Sequence, residues 1–91
     1  MEIIGKKIIV TGAAGFIGSA LTKKLIEKEI NVIGIDNLND YYSVDLKKDR
    51  LNLIKSIDYN SKFSFYNISI SDNIKLKKIF SKYKPNIVIN L

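Results

Sequence analysis

Lys6-Lys-Ile-Ile-Val-Thr-Gly-Ala-Ala-Gly-Phe-Ile-Gly18 decides how the rest of the chain is read. Lys7–Thr11 is β-branched and nearly all apolar, the composition of a parallel strand buried on both faces. Gly12, Gly15 and Gly18 follow at a Gly-x-x-Gly-x-x-Gly spacing. The first glycine lets the chain turn sharply out of the strand. The second removes a side chain where backbone must approach a pyrophosphate, and the third lets a helix pack closely on the sheet. A helix starting near Phe16 would aim its free N–H groups and positive dipole end at phosphates. Glycine turns are common, so the weight comes from context: a buried strand directly before and a helix directly after. The alternative is a structural strand–helix turn that holds no ligand.

Outward from this stretch the chain alternates strand and helix. A first helix is predicted over Phe16–Glu29, with Ile17, Ala20, Leu21 and Leu25 inward and Lys23, Lys24, Glu27 and Lys28 outward. Asn31–Asp36 reads as the second strand. A polar loop, Asn37–Asp45, leads to a helix over Leu46–Ile57, capped by Ser43 or Asp45, with Leu46, Leu53, Ile54 and Ile57 as its apolar face. Phe63–Ile68 is the third strand, with Phe63 and Phe65 on one side. Ser71 or Asp72 caps a third helix, Asn73–Tyr83, with Leu76, Ile79, Phe80 and Tyr83 inward; Pro85 marks its end and Asn86–Leu91 is the fourth strand. This pattern predicts an α/β fold: the N-terminal half of a doubly wound parallel sheet of the dinucleotide-binding Rossmann type, β-α-β-α-β-α-β, with strand order 3-2-1-4. Residues 1–91 form one unit, whose ligand crevice lies at the carboxyl ends of strands one and four. An apolar outer strand with nothing after it leads us to expect the first part of a larger domain.

Composition narrows the chemistry. The 91 residues are 46% hydrophobic and 26% charged, a globular balance. Cysteine and histidine are both absent, which excludes disulfides, thiolate metal sites, the usual zinc sites and histidine-based triads within this sequence. No run is long enough to span a bilayer and no signal peptide is evident, which fits a cytoplasmic protein without a membrane partner. Net charge is +6, yet the lysines are spread over three predicted helices. Solvated helix surface explains them better than a nucleic-acid interface.

Asp36 stands at the tip of the second strand, 18 positions after Gly18. That is close to the spacing, about 20 residues, of the acid that hydrogen-bonds an adenosine ribose. A carboxylate there repels a 2′-phosphate and favours NAD over NADP, and Asn37 follows it rather than an arginine. The alternative is an aspartate that merely caps a loop.

Val10-Thr-Gly-Ala-Ala-Gly-Phe-Ile-Gly18 resembles the cofactor loop of the extended short-chain dehydrogenase/reductase family, the NAD-dependent sugar-nucleotide epimerases and dehydratases. Gly34-Ile-Asp-Asn-Leu-Asn-Asp-Tyr-Tyr42, followed by Leu46-Lys47 and Arg50-Leu51, is similar to the UDP-glucuronate 4-epimerase branch of that family. The resemblance implies that Gly12, Gly15, Phe16 and Ile17 line the pyrophosphate, and that Asp36 holds the adenosine ribose with Asn37 and Asn39 beside it. It puts Ser69 and Ile70 at adenine, where the family usually has an acidic residue in place of Ser69. Leu91 begins the segment under the nicotinamide ribose, and Asn90 stands where the family often has histidine. It further implies a homodimer, and a UDP-sugar partner only when the remainder of the enzyme is present. The family's catalysis uses a Ser or Thr with a Tyr-x-x-x-Lys pair. Positions four after Tyr41, Tyr42, Tyr59, Tyr66 and Tyr83 hold Asp45, Leu46, Phe63, Ile70 and Ile87, so these residues carry no catalytic pair. The 91 residues alone are therefore expected to be inactive, and a non-catalytic dinucleotide-binding module remains the rival reading.

Overall fold

The computed structural model describes residues 5–38 and 44–91. Its elements run β1 (Lys7–Thr11), α1 (Phe16–Glu27), β2 (Asn31–Asp36), α2 (Val44–Ile57), β3 (Phe63–Asn67), α3 (Asn73–Tyr83) and β4 (Ile87–Asn90). The strands form one parallel sheet in the order β3-β2-β1-β4, as the alternation predicts. Register brings Thr11 opposite Ile35 on one side and Asn90 on the other, and Asp36 opposite Asn67. The carboxyl ends of all four strands therefore lie together.

Alternating side chains of β1 feed two cores, as the period of a strand requires. Ile8 and Val10 pack with Ala13, Ile26, Ile30, Val32 and Ile54, on the face covered by α1 and α2. Ile9 packs with Ile33, Ile35 and Ile79, on the face covered by α3. Phe63 and Phe65 share one side of β3, their rings stacked 6.3 Å apart. Ile9 is completely buried in the central pair of strands. Ile9→Ala is expected to lower stability by about 3 kcal/mol, seen as a reduced urea midpoint with an unchanged slope.

Several predicted helix faces are rotated. In α1 the buried residues are Gly18, Ser19, Thr22 and Ile26, whereas Ile17 and Ala20 face solvent and Leu21 and Leu25 are only partly covered. Small residues face inward because the helix lies close on the sheet. Their hydroxyls are satisfied locally: Thr22 Oγ1 donates to Gly18 O at 2.8 Å and Ser19 Oγ to Phe16 O at 3.3 Å. In α2 the inner face is Lys47, Leu51 and Ile54, while Leu46 and Leu53 are exposed and Ile57 half-buried. In α3 Ile79 is buried, Leu76 and Tyr83 are half-buried, and Phe80 is exposed.

Boundaries shift as well. α1 stops at Glu27 rather than Glu29. Glu29 takes φ 60°, its N–H donates to Ile26 O, and the N–H of buried Ile30 donates to Leu25 O. This is a Schellman ending made without glycine, its apolar residue tucked into the core. α2 begins at Val44, which puts Asp45 inside the first turn rather than at the cap; Ser43 lies outside the described residues. β3 ends one residue earlier than expected, and β4 spans only Ile87–Asn90. Asp72 is the cap of α3, its side chain accepting from the Lys75 N–H at 3.1 Å.

Candidate functional site

The glycine turn is built from backbone constraints. Gly12 leaves β1 at φ 72°, a left-handed conformation that a β-carbon opposes. Its N–H donates to Ile35 O at 2.7 Å, which ties the turn to β2. Gly15 closes the turn through its N–H to Gly12 O at 3.0 Å and stands at the N-cap of α1. α1 then lies so close that a β-carbon at residue 18 would overlap the Gly12 carbonyl oxygen. The first N–H groups of any α-helix lack partners within it. α1 has no acidic residue in its first turn and no side-chain cap, so its positive end carries no counter-charge from the helix itself.

Asp36 ends β2 beside this turn. Its Oδ2 accepts from Ala14 N at 3.2 Å, and its Oδ1 accepts from Leu38 N at 3.0 Å. Lys47 of α2 also reaches Oδ1, at 3.0 Å, in a pair whose side chains are 9% and 5% exposed. Arg50, one turn further along α2, donates from Nη1 to Ala14 O at 3.3 Å, and its guanidinium carbon lies 5.9 Å from the centre of the Phe16 ring. On the opposite flank Thr11 Oγ1 donates to Asn90 Oδ1 and accepts from Leu91 N at 3.1 Å, pinning the end of β4 to that of β1.

These elements enclose a cleft of about 520 Å³ at the carboxyl ends of β1 and β2, lined by Gly12, Gly15, Phe16, Ile17, Gly18, Asp36, Leu46, Lys47, Arg50 and Leu91. Six of the ten candidate binding residues read from sequence meet there, Gly12, Gly15, Phe16, Ile17, Asp36 and Leu91, together with Gly18 of the same turn. Phe16 and Ile17 are 78% and 68% exposed, apolar surface presented to the cleft rather than to the core. Asn37 is exposed just past Asp36, and Asn39 lies outside the described residues. Ser69 and Ile70 follow Asn67, the register partner of Asp36, and stand outside this cleft. There the Ser69 hydroxyl sits 2.8 Å from that of Ser71 and accepts from the Ser71 N–H. Lys47 and Arg50 carry charge into the cleft although sequence reading gave them no role. The available signal was their position: three apart on one helix, soon after the acidic strand end.

The shifted titrations lie away from the cleft, where Tyr66 of β3 meets Tyr83 of α3 at 2.5 Å between hydroxyl oxygens. The hydrogen bond to Tyr83, helped by burial, holds Tyr66 above the ordinary phenol value. Burial pushes Tyr83 upward, but hydrogen bonds from Tyr66 and Ser64 and the nearby Lys82 ammonium bring it below that value. Lys82 is raised through its contact with Tyr66. A hollow of about 590 Å³ between the end of α1 and the α2–β3 connection is at the other end of the sheet and gathers none of the glycine-turn residues. Among the described residues there is no cluster of metal-binding side chains and no helix long and apolar enough to cross a membrane.

The fit to known proteins is consistent along the chain. A sequence model of the family described as GDP-mannose 4,6 dehydratase matches residues 9–91. Protein CapI of Staphylococcus aureus is 49% identical over 85 residues, covering 93% of this chain and 24% of that protein. A UDP-glucuronate 4-epimerase of Thermodesulfobacterium geofontis is 45% identical over 83 residues, covering 91% of this chain and 25% of that protein. Among solved structures, a UDP-glucose 4-epimerase from Thermotoga maritima with UDP-glucose superposes at a TM-score of 0.70 with 38% identity, covering 93% of this chain and 23% of that one. The chain thus spans about a quarter of the length of the proteins it matches.

Proposed function

The chain belongs to the GDP-mannose 4,6-dehydratase family of the extended short-chain dehydrogenases/reductases, and from that premise we propose that it is the NAD-binding part of a nucleotide-sugar epimerase. UDP-glucuronate 4-epimerase is the first choice of activity, and another nucleotide-sugar 4-epimerase or a 4,6-dehydratase is the second. One observation carries the reading: the cleft joins a three-glycine turn, the open positive end of α1 and a strand-end aspartate.

The residues fit the cofactor. Gly12 and Gly15 leave room for a pyrophosphate at the helix end, where a β-carbon on Gly12 would be strained and one on Gly15 would crowd Gly12 O at 3.2 Å. Phe16 and Ile17 give the cleft an apolar wall. Asp36 would take ribose hydroxyls, with Asn37 and Asn39 nearby; Ser69 and Ile70 would approach adenine, and Leu91 the nicotinamide ribose. Bound NAD would supply a reversible hydride acceptor for C4 of the sugar. The tyrosine, lysine and serine or threonine of that chemistry would come from outside these residues, as would the sugar site, in a homodimeric parent enzyme.

The first test is binding. NAD at about 100 times its dissociation constant is expected to raise the stability of the protein by roughly 2.7 kcal/mol, seen as a shift in its thermal midpoint. No shift at any NAD concentration would overturn the reading. The full-length protein is then expected to convert UDP-glucuronate to its C4 epimer, and the 91 residues alone to show no turnover. A full-length protein that binds NAD yet converts no nucleotide sugar would favour the non-catalytic module.

A further inference from the structure

Solvated helix surface does not account for the whole net charge of +6. Lys7 opens β1 and Lys62 immediately precedes β3, so neither belongs to a helix. Both line a hollow of about 370 Å³ at the amino ends of the strands, and Lys82, from the last turn of α3, lines it with them. Positions 7, 62 and 82 thus converge from three elements, at the end of the sheet opposite the glycine turn. The described lining of the hollow contains no carboxylate. The ion pairs among the described residues, Lys47–Asp36 and Lys75–Asp72, involve none of the three lysines.

Each lysine is anchored at its base. Lys7 exchanges two hydrogen bonds with Asn86: its N–H donates to Oδ1 at 2.9 Å, and its carbonyl accepts from Asn86 N at 2.8 Å. The backbone at Lys62 is fixed by Asp58, whose carboxylate accepts from Lys62 N at 2.7 Å and from Phe63 N at 2.9 Å. That carboxylate lines the neighbouring hollow, with both oxygens engaged by backbone. Lys82 Nζ donates to Tyr66 Oη at 3.5 Å and lies 5.1 Å from the centre of the Tyr83 ring. Ser61, Ser64 and Tyr83 add hydroxyls to the lining. Like charges gathered at one place repel each other, and an anion between them reverses that cost. Ammonium and hydroxyl groups are the donors that phosphoryl oxygens accept. Convergence on one hollow suits a compact anion, whereas a nucleic-acid strand is met by a charged groove that tracks its backbone.

We propose that this hollow is a second anion site, which binds the phosphoryl group of a small phosphorylated molecule through Lys7, Lys62 and Lys82. It shares no residue with the cleft at the glycine turn and stands independently of the dinucleotide reading.

Isothermal titration of the full-length protein with inorganic phosphate and with glycerol 3-phosphate tests it, at low, constant ionic strength and with NAD in excess to fill the cleft. Inorganic phosphate is expected to saturate one site with a dissociation constant of about 1 mM or less, and the ester to bind at least as tightly. Lys62→Gln and Lys82→Gln are each expected to weaken binding by about fivefold or more. Lys24→Gln removes the same charge from an exposed position on α1, outside the hollow, and is expected to leave affinity within about twofold. Unchanged urea midpoints check that the variants fold. Absence of saturable phosphate binding would overturn the proposal, including the case in which an oligonucleotide binds through the same lysines. So would equal losses in all three variants, which would mark a diffuse field rather than a site, or no loss in Lys62→Gln and Lys82→Gln. Binding of the ester weaker than that of inorganic phosphate by about tenfold or more would overturn the assignment to a phosphorylated molecule.

Discussion

Gly18→Ala is expected to lower stability by about 3 kcal/mol and to weaken NAD binding by at least about tenfold. The added β-carbon would overlap the Gly12 carbonyl oxygen and lie 2.8 Å from the Gly12 carbonyl carbon and 3.1 Å from Ala13 Cα. All three are backbone atoms, so no side chain can swing aside. Gly12 cannot retreat either, because its left-handed φ and its 2.7 Å hydrogen bond to Ile35 O tie it to β2. The start of α1 must move outward instead. That shift opens the contact between α1 and the sheet, and it carries the phosphate-facing end of the helix away from the cleft. Overpacking of this kind costs about 1–3 kcal/mol, and rigid surroundings put Gly18 at the upper end. Gly15→Ala is the comparison: its β-carbon would meet only Gly12 O, at 3.2 Å. Urea unfolding and NAD titration should therefore rank Gly18→Ala as more damaging than Gly15→Ala on both counts. The reverse order would show that the close approach of α1 is not what fixes the turn.

Gly18 also shows where sequence reading succeeds and where it stops. The order β3-β2-β1-β4 followed from four strand-like runs separated by helical spacing; β1 and β2 carry the apolar, β-branched composition of strands buried on both faces, whereas β3 is aromatic and only half-buried. The glycine turn was legible as well, since Gly12, by its left-handed φ, and Gly18, by its close approach to the Gly12 carbonyl, each have a backbone cause that no other residue satisfies. Helix faces were less legible. Apolar periodicity assigned Ile17 and Ala20 to the inside of α1, but close packing on the sheet selects small residues, and a threonine bonded to its own helix is as acceptable there as an isoleucine. The end of α1 was missed because Glu29, not glycine, takes the left-handed position. In α2 the inner face runs Lys47, Leu51, Ile54. Its helical spacing is regular, yet the first position is a lysine, and a charged residue is read as solvent-facing unless its partner is known. That partner, Asp36, is 11 residues away across a loop. The cleft was thus readable on its β1–α1 side and hidden on its α2 side.

Removing either partner of the Asp36–Lys47 pair is expected to be among the costlier single substitutions, and a double-mutant cycle measures how strongly the two are coupled. Roughly 5–14 kcal/mol is the range for a chain of this size. Removing one partner of a buried pair leaves an uncompensated charge and costs about 3–5 kcal/mol. Lys47→Met strands the Asp36 carboxylate with only the N–H groups of Ala14 and Leu38 among its described donors. Asp36→Asn strands the Lys47 ammonium against a neutral amide. Each is expected to cost about 3 kcal/mol in urea unfolding. The double variant removes both charges while the asparagine oxygen still accepts from backbone, so its loss should fall short of the sum of the singles by about 2 kcal/mol or more. The sign of the coupling separates two accounts of Asp36. Additive losses, within about 0.5 kcal/mol, would mean that the ions do not sense each other and that Asp36 meets a ligand as a full negative charge. Strong coupling means that the folded protein holds Asp36 neutralised through α2. A dinucleotide then competes with Lys47 for the same oxygen, and the start of α2 becomes part of the binding site through that competition.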